Sequence, residues 1–336
     1  EYELLPGIFD PDVALANEGS VDAGYSGILK DADGNPTNIQ RKTNIVRNGG
    51  AEAGFAQPYD WRFKFEYPWT TSYQHNELEA HQSIGWWIGD EAYLYTGTQD
   101  PYSTRTGVAP KFGLKQHQCH VYSRFNCGGF GGKTDDWGAY AALAMSKKVG
   151  GYPVLFKNAR YTNVLSRQRS FSIKSTIEFA GTKDGRITTC DAKFYVNEGI
   201  NNGSPSGNCN FGLQTTWNIP YSTQQVFGVV TNSGKRYYWR DVADPPGNYN
   251  AESALEKCAY KLKMNPLEFR LLNLNPEDIQ AREADYYGRK LKWGSFAIKQ
   301  LLEAAADWSD YNKKFHLPAT KKVKDIYPNE FKEYAD

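Results

Sequence analysis

The chain has 336 residues, of which 40 % are hydrophobic and 15 % aromatic, so it can bury a substantial core and is not a disordered protein. Its 39 Lys and Arg residues balance 38 Asp and Glu residues to a net charge of +1, which excludes the global basic field that attracts nucleic acid or an anionic membrane. No apolar run approaches the roughly 20 residues of a membrane span.

The cysteines indicate the cellular compartment. There are five of them, they are widely spaced, and no C-x-x-C pair occurs: Cys119, Cys127, Cys190, Cys209 and Cys258. This distribution argues against a disulfide scaffold and against a cysteine-built zinc or iron–sulfur site. We therefore expect a reducing compartment and a cytoplasmic location. Because the chain begins with Glu1 and no signal-peptide pattern, we expect a processed start or a piece of something larger.

Predicted elements begin with loops and then strands. Turn signals at 31–36 and 48–50 lead us to expect that the first 55 residues are rich in loops. Alternating apolar and polar residues then predict four strands, at 63–67, 73–84, 92–96 and 118–125.

The second half of the chain mixes strands and helices. Two alternating runs at 171–179 and 187–196 flank an Asp184-Gly185 turn, which predicts a β-hairpin, and the composition of 201–210 predicts an exposed loop. Helices are predicted at 134–148, 248–263 and 296–306, with a shorter one opened by Asn265 as N-cap and Pro266. This irregular order predicts an α+β fold.

The most informative segment is C-G-G-F-G-G-K, which runs from Cys127 to Lys133 between a predicted strand and a predicted helix. Four glycines in five positions allow positive φ and a close approach of the backbone to a ligand. The N-terminus of the next helix offers N–H groups to an anion. The segment predicts a cradle for an anionic group, with a structural turn as the alternative. It is neither a Walker A loop nor a clean G-x-G-x-x-G motif.

A second cluster of candidate residues precedes this loop. His75, Glu79 and His81 have the same parity, so on a strand they would share one face. Their spacing is not one of the recognised helical zinc patterns, so we do not expect them to bind a metal directly.

The glycine loop resembles the G-G-F-G-G-K loop in the molybdopterin-binding large subunit of the xanthine oxidase family of molybdenum hydroxylases. Other segments resemble that family in the same order, namely the H-x-x-x-E-x-H segment at 75–81, T-Q-[ND] at 98–100, [FY]-R-G-x-G-x-P…E at 239–252 and D-P-x-E-x-R-x-x-N at 265–273. The resemblance covers nearly the whole chain. It implies part of an α/β hammerhead at 1–55, the first molybdopterin-binding domain at 56–312 and a basic tail at 313–336.

The resemblance also implies roles for individual residues. Gln99 matches a glutamine that hydrogen-bonds an oxo ligand of molybdenum, and Phe130 matches a phenylalanine that lies against the metal centre. Arg240 matches an arginine beside the cofactor pocket. The implied catalytic residues are Gln99, Phe130 and Arg240, and the implied cofactor-binding residues are Gln99, Gly128, Gly129, Phe130, Gly131 and Arg240. Molybdenum would be held through the pterin dithiolene and not by a side chain, and His75, Glu79 and His81 would form a hydrogen-bond network in the pocket wall.

Three positions depart from the family pattern and are assigned to the substrate pocket. Thr134 replaces an acid that contacts substrate in purine-oxidising members, which disfavours purine oxidation. Asp241 replaces a glycine, or the cysteine of the carbon-monoxide-oxidising branch, and Val242 replaces an aromatic that stacks on flat substrates. These changes favour a smaller or non-planar substrate.

The implied function is insertion of water-derived oxygen into an electron-poor carbon of a small molecule. The family's catalytic Glu motif, G-x-G-E-[PA], does not occur in this sequence, so a second molybdenum-domain chain is expected to carry that Glu. The implied cofactor is molybdenum-molybdopterin, in the cytosine dinucleotide form, with 2Fe–2S clusters and FAD on partner subunits. Two alternatives stay open, namely a hydratase or alcohol dehydrogenase of the same family acting on enones, and a non-catalytic interaction subunit that kept the fold.

Overall fold

The computed structural model describes residues 7–16, 28–134, 137–166, 168–200, 207, 209–275 and 297–315. The strands in this part of the chain are β1 (Ile28–Lys30), β2 (Pro36–Arg47), β3 (Trp61–Tyr67), β4 (Gln82–Ile88), β5 (Glu91–Thr96), β6 (Cys119–Tyr122), β7 (Val154–Lys157), β8 (Ser172–Gly181), β9 (Ile187–Gly199) and β10 (Tyr221–Val230). The helices there are α1 (Pro11–Leu15), α2 (Gly50–Phe55), α3 (Pro101–Lys111), α4 (Trp137–Lys148), α5 (Arg160–Ser166), α6 (Phe211–Thr215), α7 (Asp244–Lys261), α8 (Pro266–Asn273), α9 (Ile298–Trp308) and α10 (Tyr311–Lys314). None of these helices is long and apolar enough to cross a membrane.

The larger sheet has six strands in the order β1-β2-β10-β9-β8-β3. Its neighbours are antiparallel except for β9 and β10, which run parallel. Phe171, Ile177 and Phe194 are fully buried between this sheet and helices α6, α7 and α8. The alternating pattern that predicts the 171–196 hairpin is therefore explained by one face packed on the main core.

The smaller sheet has four strands in the order β6-β5-β4-β7, with β5 and β6 parallel and the other pairs antiparallel. Helices α3 and α4 cover one face through a smaller core that includes Leu94, Val108 and Leu143. The glycine loop connects the edge strand β6 to α4, so the smaller sheet positions it.

The predicted α+β class is confirmed, and several predicted elements need correction. Among the described residues of the first 55, loops do not predominate, because β2 is twelve residues long and pairs with β10. Residues 73–81 do not form a strand, and β4 begins at Gln82. The strand predicted at 118–125 ends at Tyr122, and the helix predicted from 134 begins at Trp137.

Helix ends differ from the predictions by a few residues. Helix α7 begins four residues before the predicted 248, because Pro245 and Pro246 lie in its first turn, where a missing N–H costs nothing. The Asn265 cap is confirmed, since its side chain accepts a hydrogen bond from the N–H of Leu267. Residues 201–206 and 208 of the predicted loop, and 316–336 of the basic tail, lie outside the described residues.

Two of the motif segments are structural supports. Arg270 on α8 forms ion pairs with Glu252 and Glu256 on α7, at N–O distances of 3.2 and 2.5 Å. Asn273 accepts from the N–H of Ile187 and donates to the carbonyl of Gly185. These side chains hold α7, α8 and the β8–β9 turn together.

Candidate functional site

The glycine loop adopts a conformation that depends on its residue types. Gly128 and Gly131 have φ of 85° and 90°, and Phe130 between them is also left-handed at 51°. A Cβ on Gly131 would stand 2.8 Å from the carbonyl carbon of Tyr238, and a Cβ on Gly129 would overlap the side chain of Gln99. The loop is thus pressed between two other segments, and glycine is required at both positions.

The loop holds Gln99 through its carboxamide oxygen. Its Oε1 accepts hydrogen bonds from the N–H groups of Gly131 and Lys133, at 2.9 and 3.2 Å. Because a carboxamide oxygen accepts and its nitrogen donates, these bonds assign the two ends of the side chain. Among the described residues the Nε2 donors have no hydrogen-bond partner, and the side chain is exposed.

Arg240 meets the loop from the other side. Its N–H donates to the carbonyl of Phe130 at 3.0 Å, and its guanidinium carbon lies 4.4 Å from the centroid of the Phe130 ring. This contact has cation–π geometry. Gln99, Phe130 and Arg240, which are 141 positions apart from first to last, are therefore brought together around one loop.

The three substrate-pocket candidates lie at the edges of this arrangement. Thr134 is exposed and donates its hydroxyl to the carbonyl of Gly131 at 3.2 Å. Asp241 is exposed, whereas Val242 is half-buried and packs against the main core. Arg240, Asp241 and Val242 all have positive φ, at 38°, 72° and 57°, so this turn holds three successive non-glycine residues in a disfavoured conformation.

The segment 75–81 forms the back wall of the loop although it is not a strand. Nε2 of His75 lies 2.6 Å from the carbonyl oxygen of Tyr238, and Nε2 of His81 lies 3.0 Å from that of Gly132. Glu79 accepts hydrogen bonds from Nζ of Lys133 and from the N–H of Cys127. The predicted hydrogen-bond network is present, and it reaches the loop at both ends.

The acids of this wall are held as carboxylates. Burial disfavours the Glu79 charge, but the hydrogen bonds from Lys133 and Gln82 outweigh that cost and lower its pKa. Burial likewise opposes ionisation of Glu77, yet hydrogen bonds from His81 and Asn163 lower its pKa to about 2. Within the described ranges, no group of three or more His, Cys, Asp or Glu side chains could hold a metal ion.

The sequence gives little indication of the roles of two further residues at the loop. Lys133 is fully buried and paired with Glu79 at 2.8 Å, although a lysine after a glycine loop suggests a solvent or ligand contact. Gln168 is also buried, and its Nε2 donates to the carbonyl of Gly131 at 2.7 Å. No local pattern marks Gln168, because it reaches the loop only through the tertiary fold.

Comparisons with known proteins identify the family of the chain. Residues 33–274 match the family model of the molybdopterin cofactor-binding domain. The chain is 26 % identical over 299 residues to a probable hypoxanthine oxidase of Escherichia coli K12, an alignment that covers 80 % of this chain and 31 % of the relative. It is 29 % identical over 199 residues to the carbon monoxide dehydrogenase large chain of Afipia carboxidovorans, covering 56 % of this chain and 24 % of the relative.

A solved structure shares the fold. Quinoline 2-oxidoreductase from Pseudomonas putida 86 superposes with a TM-score of 0.76 at 21 % identity, over 93 % of this chain and 39 % of that one. The chain thus spans between a quarter and a third of the curated relatives and about two fifths of this structure. By its sequence match and its fold, the chain belongs to the family of molybdopterin cofactor-binding domains, of the xanthine oxidase type.

Proposed function

We propose that this chain holds one side of a molybdenum-molybdopterin cofactor in a multi-chain molybdenum hydroxylase. The observation that carries the proposal is the Gln99 carboxamide, whose oxygen is tied to the loop amides while its nitrogen stays available to a ligand. The fit of the cofactor is supported by the packing of the glycine loop on Gln99 and Tyr238, because a side chain on Gly129 or Gly131 would clash with them and displace the carboxamide.

The cofactor, when bound, supplies the two-electron redox chemistry and the oxygen that is transferred. The residues of this chain position it. Gln99 Nε2 would donate a hydrogen bond to it and the Phe130 ring would border its site, while the Arg240 guanidinium stacks on that ring. Thr134, Asp241 and Val242 set the edge of the space for substrate, which favours a small or non-planar molecule. Preorganised donors of this kind act by stabilising developing charge.

The general base is proposed to come from a second chain. Glu77 and Glu79, the acids behind the loop, are both engaged in hydrogen bonds that lower their pKa, so they are poor proton acceptors near neutral pH. Electrons would leave through 2Fe–2S and FAD groups on further subunits, and we propose the cytosine dinucleotide form of the cofactor and a cytoplasmic location.

The first experiment measures molybdenum and pterin in the purified complex and then turnover of the Gln99→Ala variant. We expect a loaded variant whose kcat/KM is reduced by about 2–4 kcal/mol in transition-state stabilisation, since one positioned donor is lost. A loaded Gln99→Ala enzyme with unchanged kcat/KM would refute the role of Gln99. A wild-type complex without molybdenum would favour the non-catalytic alternative.

The split of the site between two chains is tested separately. We expect the isolated chain to be inactive and poorly soluble, because the base lies on the partner. Turnover by the isolated chain would refute the split. Analysis of products from heterocycles, aldehydes and enones distinguishes hydroxylation from hydration.

A further inference from the structure

A cavity among the described residues lies outside the glycine loop. It has a volume of about 590 Å³ and is enclosed by the end of β3, the segment after it, the start of β8 and one face of α7. Tyr73 and Trp239 form part of its wall and stack on each other with ring centroids 5.5 Å apart. Trp239 also precedes Arg240, so this cavity borders the candidate site without including its loop.

Six of the sixteen residues that line the cavity are aromatic. Tyr67, Trp69, Phe171 and Tyr249 line it together with the Tyr73–Trp239 pair. The indole of Trp239 is fixed by a hydrogen bond from its Nε1 to the carbonyl of Gln74. Rigid rings around a space of this size suit a planar, largely apolar ligand, because they bury its faces without losing much side-chain entropy.

One polar group of the cavity wall lacks a partner. Asn250 is fully buried, and its Nδ2 donates to the hydroxyl of Ser175 at 2.9 Å. Within the described part of the chain its Oδ1 has no hydrogen-bond partner. A buried acceptor without a donor is costly, so this oxygen indicates a ligand that donates a hydrogen bond.

A cation lies along the same face of α7. Lys257 lines the cavity with its Nζ 5.0 Å from the centroid of the Tyr67 ring, and it makes no ion pair with any described residue. The carboxylate of Glu66, which also lines the cavity, is paired with Lys64 at 2.9 Å. The charge still available to a ligand is therefore that of Lys257.

We propose that this cavity binds a planar aromatic carboxylate of about two fused rings, with a hydroxyl or ring N–H at the end opposite the carboxylate. Asn250 and Lys257 are seven residues apart on one helix, so they lie on the same face with a rise of roughly 10 Å between them. A two-ring ligand lets its donor reach Asn250 Oδ1 and its carboxylate reach Lys257, while its faces contact Trp69, Phe171 and Trp239.

The probe is 6-hydroxy-2-naphthoate, whose fluorescence reports binding to the purified protein together with the chains that co-purify with it. We expect one saturable site. The probes 2-naphthoate and 2-naphthol, which lack the hydroxyl and the carboxylate respectively, should each bind about tenfold more weakly, in line with the loss of one hydrogen bond or ion pair.

Two variants test which residue contacts each end of the probe. Lys257→Met keeps the length of the side chain and should weaken the two carboxylates about tenfold while leaving 2-naphthol unchanged. Asn250→Leu should weaken the two hydroxyl compounds and leave 2-naphthoate unchanged. Because Asn250 is buried and this variant could misfold, the comparison of the three probes on the wild type tests the same contact independently.

The position of the bound probe is tested with Gln99→Ala, which changes the glycine-loop site but not this cavity. We expect its affinity for 6-hydroxy-2-naphthoate to equal that of the wild type. The proposal is overturned if the probe does not bind, if Lys257→Met weakens all three compounds equally, or if Gln99→Ala abolishes binding.

Discussion

The two sheets differ in how their faces are covered. In the six-stranded sheet, β8, β9 and β10 are buried along most of their length, and large side chains such as Phe179 and Phe194 are fully enclosed. In the four-stranded sheet only one face has a core, and on the other face Ile84, Ile88 and Leu155 are 38 %, 59 % and 58 % exposed among the described residues. The larger sheet is therefore a self-sufficient scaffold, while the smaller one leaves apolar surface open.

The open face of the smaller sheet is also aromatic. Trp86 stacks on Tyr93 and Tyr95, and Tyr95 stacks on Tyr122, with centroid distances of 4.9–5.5 Å. The glycine loop leaves this sheet and is held by polar contacts, among them the buried Lys133–Glu79 pair. The larger sheet and the glycine loop are therefore stabilised by different interactions, which variants can separate.

The largest effect is expected from the glycines of the loop. Gly129→Val and Gly131→Val should abolish cofactor loading with the larger sheet intact, because a side chain at either position would clash with Gln99 or with the Tyr238 backbone. Mass spectrometry measures the molybdenum content, and the far-UV circular dichroism spectrum reports whether the larger sheet is intact. Gly234→Val is the matched control, since its Cβ would meet nothing within 4 Å. A near-normal molybdenum content in either loop variant would contradict the hypothesis that the loop conformation is required for cofactor binding.

The main core should determine the stability of the whole chain. Phe194→Ala removes a fully buried ring and should lower the free energy of unfolding by roughly 3–5 kcal/mol, measured by urea titration. Phe125→Ala, at a side chain that is 83 % exposed, serves as control and should change it little. Equal losses from both variants would mean that the larger sheet is not the scaffold.

The polar contacts behind the loop should act locally. Lys133→Met leaves Glu79 without its cation and should make opening of the loop easier by about 2–3 kcal/mol. Hydrogen exchange should accelerate at the amides of Cys127, Gly131 and Lys133 while β8 and β9 stay protected. The control is Lys64→Met, which breaks an exposed pair with Glu66 and should leave the loop amides unchanged. Faster exchange throughout the larger sheet would show that the two regions are not independent.

Ionisation at the start of α7 should make the stability of the protein depend on pH. Burial, together with the nearby charge of Asp241, raises the pKa of Asp244 to about 7 from its ordinary 3.8. The folded protein therefore binds an extra proton between these values, and this group's contribution to stability is lost as the pH rises through 7. Asp244→Asn should gain at least about 2 kcal/mol relative to the wild type between pH 4 and pH 8, measured by thermal unfolding.

Asp241→Asn is the control for that prediction. Removing the neighbouring charge should bring the Asp244 pKa closer to its ordinary value and give a smaller gain with the same sign. A gain for Asp244→Asn that does not depend on pH would show that packing, and not ionisation, limits stability at this position.

Local signals in the sequence predicted much of the fold and of the loop. The β8–β9 hairpin follows from alternation around Asp184-Gly185, and the Asn265 cap follows from side-chain chemistry next to a proline. The glycine loop was predicted as a ligand cradle because only glycine tolerates close backbone approach. The hairpin and the cap depend on contacts within a few residues along the chain, whereas the loop glycines are required by contacts with Gln99 and Tyr238, which lie far away in the sequence.

Sequence patterns do not predict elements whose buried polar residues form hydrogen bonds with residues outside the element. Strand β10 contains Gln224, which is fully buried and accepts a hydrogen bond from Asn210. Because this residue is polar, the sequence of β10 does not have the apolar pattern of a buried strand. Segment 73–81 alternates like a strand, yet His75 and His81 bond to Tyr238 and Gly132 instead of to neighbours in a sheet.

Sequence patterns and the family resemblance indicate the fold class, the glycine loop and the candidates Gln99, Phe130 and Arg240. Three features are visible only in the folded chain: the loop amides orient Gln99, Lys133 faces inward to Glu79, and Gln168 supports Gly131. The physical reason is that hydrogen-bond direction and burial depend on partners 30 or more residues away, whose positions no local pattern specifies.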